Sequence, residues 1–218
     1  MRGKFITFEG GEGAGKSTQA ATLAKRLEAL GLHTVVSREP GGSAGAEAIR
    51  HVLLSGAAKP LGPHAEAILF AAARADHLRQ TIKPALEGGA WVISDRFADS
   101  TRIYQGVLGN VEARMIARLE KLTVGELGPD LTVILDIPPE EGLARAGKRR
   151  GAAPIDRFEG EAFDFHKKLR EAYLELAERE PNRCVVINAG ADPATVSEFV
   201  WAAVTARLHP AAPMVAAS

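Results

Sequence analysis

A short apolar run, Phe5-Ile6-Thr7-Phe8, leads into Gly10-Gly11-Glu12-Gly13-Ala14-Gly15-Lys16-Ser17. A stripe of apolar residues at helical spacing follows at Ala20, Leu23, Ala24, Leu27 and Leu30. The glycines let the main chain curl through conformations closed to residues with a Cβ. The chain must therefore feed a strand into a helix across one tight loop, and such a unit needs a sheet to pack on. The loop matches G-x-x-x-x-G-K-[ST] in full and stands between strand and helix, the context that gives the motif meaning. Its N–H groups can converge on an anion, and the helix N-terminus adds partial positive charge. Gly10 through Ser17, with the adjoining Thr18, are the candidates for holding a nucleoside triphosphate, ATP being the expected one. Lys16 would reach the β- and γ-phosphates and Ser17 would ligate Mg²⁺. Glu12 is the anomaly, a carboxylate inside an anion cradle. The cradle is made of N–H groups, Lys16 and a helix terminus, so the Glu12 side chain need not face the triphosphate.

Five apolar, β-branched runs punctuate the chain: Phe5–Phe8, Thr34–Ser37, Trp91–Ser94, Leu131–Leu135 and Cys184–Asn188. They are nearly continuous in apolar character rather than alternating, as parallel strands covered on both faces are. Helical stretches lie between them at 20–30, 46–54, 64–86 (interrupted by Pro84), 111–122, 165–176 and 195–208. Strand and helix in alternation predict an α/β fold of the P-loop NTPase kind. Its three α/β/α layers would hold a five-stranded parallel sheet flanked by helices, with a small lid segment. One domain over residues 1–209 and a disordered tail at 210–218 are expected. The 218 residues carry 27 basic and 27 acidic side chains. That balance argues against a nucleic-acid partner, which usually demands a basic face. No window approaches the length of a membrane span, and Cys184 has no second cysteine to pair with. Cytoplasmic residence is the expectation.

A P-loop protein places an acid at a second strand end, near the Mg²⁺. Asp95 and Asp136 both close apolar runs. Asp95 is followed at once by Arg96, and an acid beside a guanidinium can serve metal and phosphate together. Asp136, followed by Ile-Pro-Pro, reads instead as a strand-end cap for the next helix. No Asn-Lys-x-Asp and no strand-end Asp-x-x-Gly of a GTPase switch is found.

The segment Asp95-Arg96-Phe97-Ala98-Asp99-Ser100-Thr101-Arg102-Ile103-Tyr104-Gln105-Gly106 resembles the signature of the thymidylate kinase family. So do Phe5-Ile6-Thr7-Phe8-Glu9-Gly10, Arg38-Glu39-Pro40-Gly41-Gly42, Leu69-Phe70-Ala71-Ala72-Ala73-Arg74 and Asp156-Arg157-Phe158-Glu159, in order along the chain. Ile103 stands where the family usually carries alanine, and Arg102 is also unusual there. The resemblance implies transfer of a phosphoryl group from ATP to dTMP, in dTTP biosynthesis, with Mg²⁺ and by a homodimer.

Site roles follow from the resemblance position by position. Phe70 and Arg74 share a helical face and would hold thymine. Read alone, the same pair would be a core ring and a solvent-seeking guanidinium. Arg96 would clamp the acceptor phosphate, with Arg50 as a second candidate. Ser100, Thr101 and Gln105 would line the base site, Tyr104 the sugar, and Glu39 and Pro40 the REPGG loop, where the proline peptide is a candidate for cis. Glu12 would accept a hydrogen bond from the 3′-hydroxyl of dTMP. Arg145-Ala146-Gly147-Lys148-Arg149-Arg150-Gly151 would begin a basic lid covering about 145–157. Arg149 and Arg150 are equal candidates for the transferring phosphoryl group, and Arg157 is a supporting one. Some family members place a cation directly after the loop acid. Here Gly13 occupies that position, so the positive charge must come from the lid.

Overall fold

The computed structural model describes residues 2–151 and 157–211. Three of the apolar runs form strands buried on both faces: β1 (Phe5–Glu9), β3 (Trp91–Asp95) and β4 (Leu131–Asp136). The partly exposed β2 (Thr34–Arg38) and β5 (Cys184–Asn188) flank them. All pairings are parallel, in the order β2-β3-β1-β4-β5. This is the five-stranded parallel sheet the sequence predicts. The chain leaves β1 and β3 in opposite directions across the sheet, so the crevice at their carboxyl ends is a topological switch point. Phe8 lies opposite Asp95 in the register, which brings Gly10 and Arg96 side by side there.

Alternation along β1 decides which residues face which layer. Ile6 and Phe8 turn toward α1 (Lys16–Glu28) and α9 (Pro193–Leu208), into a core with Leu23, Leu27, Val196 and Val200. Phe5 faces the opposite layer with Ile82, Leu86, Val92 and Phe97. Glu9 falls in that second phase too and is fully buried. Helix α9 starts earlier than the apolar pattern indicates. Asp192 caps it, accepting from the N–H groups of Ala194 and Thr195, and Pro193 fills the first turn. Those N–H groups would otherwise lack partners.

The stretch expected at 64–86 is α3 (Gly62–His77) continued through a π-helical segment, Leu78–Ile82, into α4 (Lys83–Glu87). Pro84 does not break it. A proline ring collides with the carbonyl four residues back, here Gln80, and the widened π turn falls on that residue. Elsewhere α2 (Ala44–Leu54), α6 (Ala113–Thr123) and α8 (Phe163–Arg179) match the expected stretches. Two α-helices do not appear among those expectations. One is α5 (Ala98–Thr101) with its π-helical continuation, Arg102–Leu108. The other is α7 (Pro139–Arg150), whose last turns hold the basic run expected to open a lid. Of the lid span, residues 152–156 lie outside the described residues, as does most of the expected tail.

Candidate active site

The glycine loop is built as its composition dictates. Gly10, Gly13 and Gly15 take φ of 130°, 67° and 90°, values that L side chains resist. Gly15 also serves as the N-cap of α1. Lys16 is buried and donates to the carbonyls of Gly11 at 2.7 Å and Gly10 at 3.2 Å. Burial, then the nearby Arg96, push its pKa down, against the pull of Glu12, Asp95 and Glu9.

Arg96 adopts φ 70°, strained for a residue with a Cβ. Its N–H donates to the Phe8 carbonyl at 2.9 Å and its carbonyl accepts from Ser94 Oγ at 2.8 Å. The guanidinium donates to Glu12 Oε1 at 2.6 Å, to Ser100 Oγ at 3.2 Å and to the Gly10 carbonyl at 3.3 Å. It also lies 5.2 Å from the Tyr104 ring centroid. Burial alone would raise the Glu12 carboxyl. Arg96, then Lys16 and Arg149, overcome that and hold its pKa at about 2, so Glu12 is a pure hydrogen-bond acceptor at neutral pH. The loop carboxylate is thus paired with the strand-end arginine.

Behind this pair sits Glu9. It accepts from Tyr173 Oη at 2.7 Å, Ser100 Oγ at 2.7 Å and the Phe97 N–H at 2.8 Å. Burial, then Asp99, raise its pKa despite these donors. Neither Glu9 nor Tyr173 carries a local motif of its own. The available signal is Glu9's place in the lead-in to the loop and Tyr173's on the apolar face of α8.

A second polar chain runs under the Glu39-Pro40 turn, whose peptide is cis. Buried Arg74 donates to Glu39 Oε2 at 2.8 Å, Thr101 Oγ1 at 2.9 Å and the Phe97 carbonyl at 3.2 Å. His77 Nδ1 meets Glu39 Oε1 at 3.1 Å and its Nε2 meets Ser37 Oγ at 2.6 Å. Arg50 donates to the Pro40 carbonyl at 2.5 Å.

These groups enclose one cavity of about 340 Å³. Its polar side is Glu12, Gly13, Gly15, Lys16, Ser17, Thr18, Asp95, Arg96, Ser100 and Arg149. Glu39, Pro40, Arg50, Phe70, Arg74, Thr101, Tyr104 and Gln105 also line it. Arg38, Leu54, Phe97 and Phe158 join them, although the sequence reading did not place them among the binding residues. Phe158 contacts Tyr104 edge-on at 5.3 Å and lies 6.1 Å from Phe70, which gives the cavity an aromatic wall. Gly10, Gly11 and Ala14 are not in the lining. The Gly10 carbonyl faces Lys16 and Arg96, and Ala14 is buried in the core beneath.

The two lid arginines separate. Arg149 lines the cavity, whereas Arg150 is absent from the lining and pairs with Glu159. Arg157 is displaced further. It forms an ion pair with Glu66 of α3 at 3.0 Å, donates to Glu161 at 2.8 Å, and packs over Phe158. Asp136 does not cap α7. Both its oxygens accept from Arg170 of α8, at 2.6 and 2.8 Å. The two unusual signature residues also leave the cavity. Ile103 is buried with Ile134 and Leu169, and Arg102 forks onto Glu120 and reaches Glu180. Asp156 lies outside the described residues.

Ser17 Oγ donates to an Asp95 carboxylate oxygen. A hydroxyl and a carboxylate side by side are the hard oxygen donors that suit Mg²⁺. Among the described residues no cluster of three or more acids, histidines or cysteines could hold a metal unaided. The fit is therefore to an ion that takes its remaining ligands from phosphate and water. No helix among the described residues is long and apolar enough to cross a membrane.

Comparison with known proteins meets this geometry. The family model described as Thymidylate kinase matches residues 8–200, a span holding the loop, the Asp95-Arg96 strand end and the basic helix. A thymidylate kinase from Bradyrhizobium diazoefficiens is 59% identical over 209 residues, covering 96% of this chain and 92% of the relative. One from Nitrobacter winogradskyi is 61% identical over 203 residues, covering 93% and 88%. The crystal structure of thymidylate kinase from Ehrlichia chaffeensis superposes with a TM-score of 0.75 at 31% identity, over 94% of this chain and all of that one. An ATP-type loop facing an acid–arginine strand end across an aromatic-walled cavity, matched in sequence and in fold, leaves one assignment: this chain belongs to the thymidylate kinase family.

Proposed function

We infer that the chain transfers the γ-phosphoryl group of ATP to dTMP, giving dTDP and ADP, as a single kinase domain over residues 1–209. The observation that carries the residue roles is the Glu12–Arg96 pair. It sits where the phosphate loop meets the aromatic-walled part of the cavity.

Phosphoryl transfer asks the protein for in-line placement and for positive charge where charge spreads. Lys16 meets the β- and γ-phosphates, exchanging the loop carbonyls for phosphate oxygens. Arg96 takes the acceptor phosphate, and its partners hold the guanidinium at the cavity floor. Glu12, ionised, accepts from the 3′-hydroxyl of dTMP. Phe70, Tyr104 and Phe158 supply the apolar surface for base and sugar. Thr101, Gln105 and the Arg74–Glu39 pair supply polar edges. Arg149, the α7 cation that lines the cavity, would meet the transferring group, a role worth on the order of 10³–10⁵ in rate in related chemistry. The acceptor is already an oxyanion, so no strong general base is needed. Ser17 and Asp95 would hold Mg²⁺, which neutralises phosphate charge when bound.

A homodimer is part of the proposal. Ile68 on α3 and Leu122 on α6 expose apolar side chains, 50% and 83% accessible, on two helices that pack together. Cytoplasmic residence accompanies it, in keeping with the substrates and the free Cys184 thiol.

The direct test supplies ATP and Mg²⁺ with dTMP, dUMP, CMP, AMP or thymidine, and measures ADP and diphosphate product. Turnover of dTMP above the others is expected. Preference for another acceptor would contradict the assignment of the aromatic wall and its polar edges to thymine.

A further inference from the structure

Helix α7 touches the phosphate loop backbone to backbone. A Cβ on Gly13 would sit 2.7 Å from the Gly142 carbonyl carbon and 3.1 Å from the Ala146 nitrogen. In the reverse direction, a Cβ on Gly142 would overlap the Glu12 carbonyl oxygen and press on Ile137 Cγ2 at 3.3 Å. Contacts this close leave no room for a methyl group on either side. Ala146, one turn further along the same face, is fully buried. Arg149 follows at seven residues from Gly142. Two turns of helix return it to that face about 10 Å along the axis, where it lines the cavity. Helix α7 is also tied by Arg145, which donates to the carbonyls of Ala189 at 2.8 Å and Gly190 at 3.1 Å. Gly147, in the same helix, has open space: its Cβ would meet only Arg150 Nη2, at 3.9 Å.

We propose that Gly142 is a positioning residue for phosphoryl transfer: its contact with the Glu12-Gly13 backbone fixes the register of α7 so that Arg149 is delivered to the transferring phosphoryl group. The inference rests on the role given to Arg149 above. Gly142 lies mid-helix, where alanine is the better helix former. An effect of helix propensity alone would therefore make Gly142→Ala neutral or stabilising. The contact predicts the opposite for catalysis. Displacing a catalytic group by about 1 Å costs on the order of 10² in rate, with ground-state nucleotide binding little changed.

The test is a kinetic double-mutant cycle on the full chain, since groups acting through one another are non-additive. Gly142→Ala should lower kcat on the order of 10²-fold and leave KM for ATP and dTMP within about threefold. In an Arg149→Ala background, Gly142→Ala should change kcat less than about threefold. Gly147→Ala should retain wild-type kcat. Ala146→Val presses on the same buried face and carries the same cycle should Gly142→Ala not fold. Multiplicative losses in the double variant, or a Gly142→Ala effect confined to KM, would overturn the proposal. Wild-type kcat in Arg149→Ala would instead overturn the role of Arg149 itself.

Discussion

Replacing Glu12 by glutamine keeps the shape of the side chain and removes its charge. Two losses follow. The drop of its pKa from the usual 4.5 to about 2 corresponds to roughly 3 kcal/mol favouring the ionised form. Most of that is charge interaction with Arg96, Lys16 and Arg149 that the amide cannot make. Glu12→Gln should therefore unfold more easily by about 2–3 kcal/mol, somewhat less than the roughly 3–5 kcal/mol that follows when one partner of a fully buried pair is removed. A hydrogen bond from the sugar hydroxyl to a charged acceptor also becomes one to a neutral acceptor. Bonds to charged groups contribute about 1.5–3 kcal/mol and neutral ones about 0.5–1.5, so the exchange loses about 1–1.5 kcal/mol and dTMP affinity should fall about 5–10-fold. ATP affinity should change only severalfold, since the loop's donors and Lys16 remain. Calorimetric titration with dTMP and with its 3′-deoxy analogue isolates the second loss. Wild-type protein should prefer dTMP by at least tenfold, and Glu12→Gln should lose most of that preference. Undiminished discrimination between the two ligands in the variant would refute the contact, whatever happened to stability.

Arg96→Ala should lower kcat by orders of magnitude while ATP affinity, read by fluorescent-analogue displacement, stays within about threefold. Wild-type turnover would remove Arg96 from the acceptor site. Arg149→Ala should cost about 10³-fold or more in kcat, and Arg150→Ala, which breaks a pair with Glu159, less than tenfold; steady-state rates that reverse this order would contradict the separation of the two arginines. Asp95→Asn should raise the Mg²⁺ concentration needed for half-maximal rate. A magnesium profile identical to wild type would count against Asp95 as a ligand. In acid, stability drawn from the Glu12 carboxylate is fully present above about pH 4.5 and lost as pH falls through about 2, because its folded pKa is depressed. The difference in unfolding free energy between wild type and Glu12→Gln, from denaturant titrations, should shrink only below about pH 4. A difference that vanishes by pH 6 would show that the carboxyl is not held down.

The sheet was legible because parallel strands covered on both faces are nearly continuous in apolar character, as the five runs are. The loop was legible because a glycine at each left-handed position is a chemical requirement. What escaped has physical reasons as well. Helix α7 presents glycine and alanine to its neighbour, Gly142 and Ala146, so it lacks the stripe of large side chains that marks an amphipathic helix. The π-helical segments at 78–82 and 102–108 follow no 3.6-residue period. Glu9 looks like an ordinary strand-end acid until the alternation of β1 and the packing of α5 and α8 surround it with donors. The Arg149–Arg150 pair was indistinguishable as two adjacent cations. It separates once a helix turns one toward the cavity and the other toward Glu159. Arg102 and Ile103, odd within the signature, point into an ion-pair network and the core, so neither shapes the cavity.

In the proposed mechanism one cavity joins the two nucleotides through the Glu12–Arg96 pair. A crystal structure with dTMP and a non-hydrolysable ATP analogue tests it most directly. The dTMP phosphate should lie on Arg96, its 3′-hydroxyl on Glu12, and Arg149 rather than Arg150 on the γ-phosphate. A dTMP bound away from an undisturbed Glu12–Arg96 pair would contradict it.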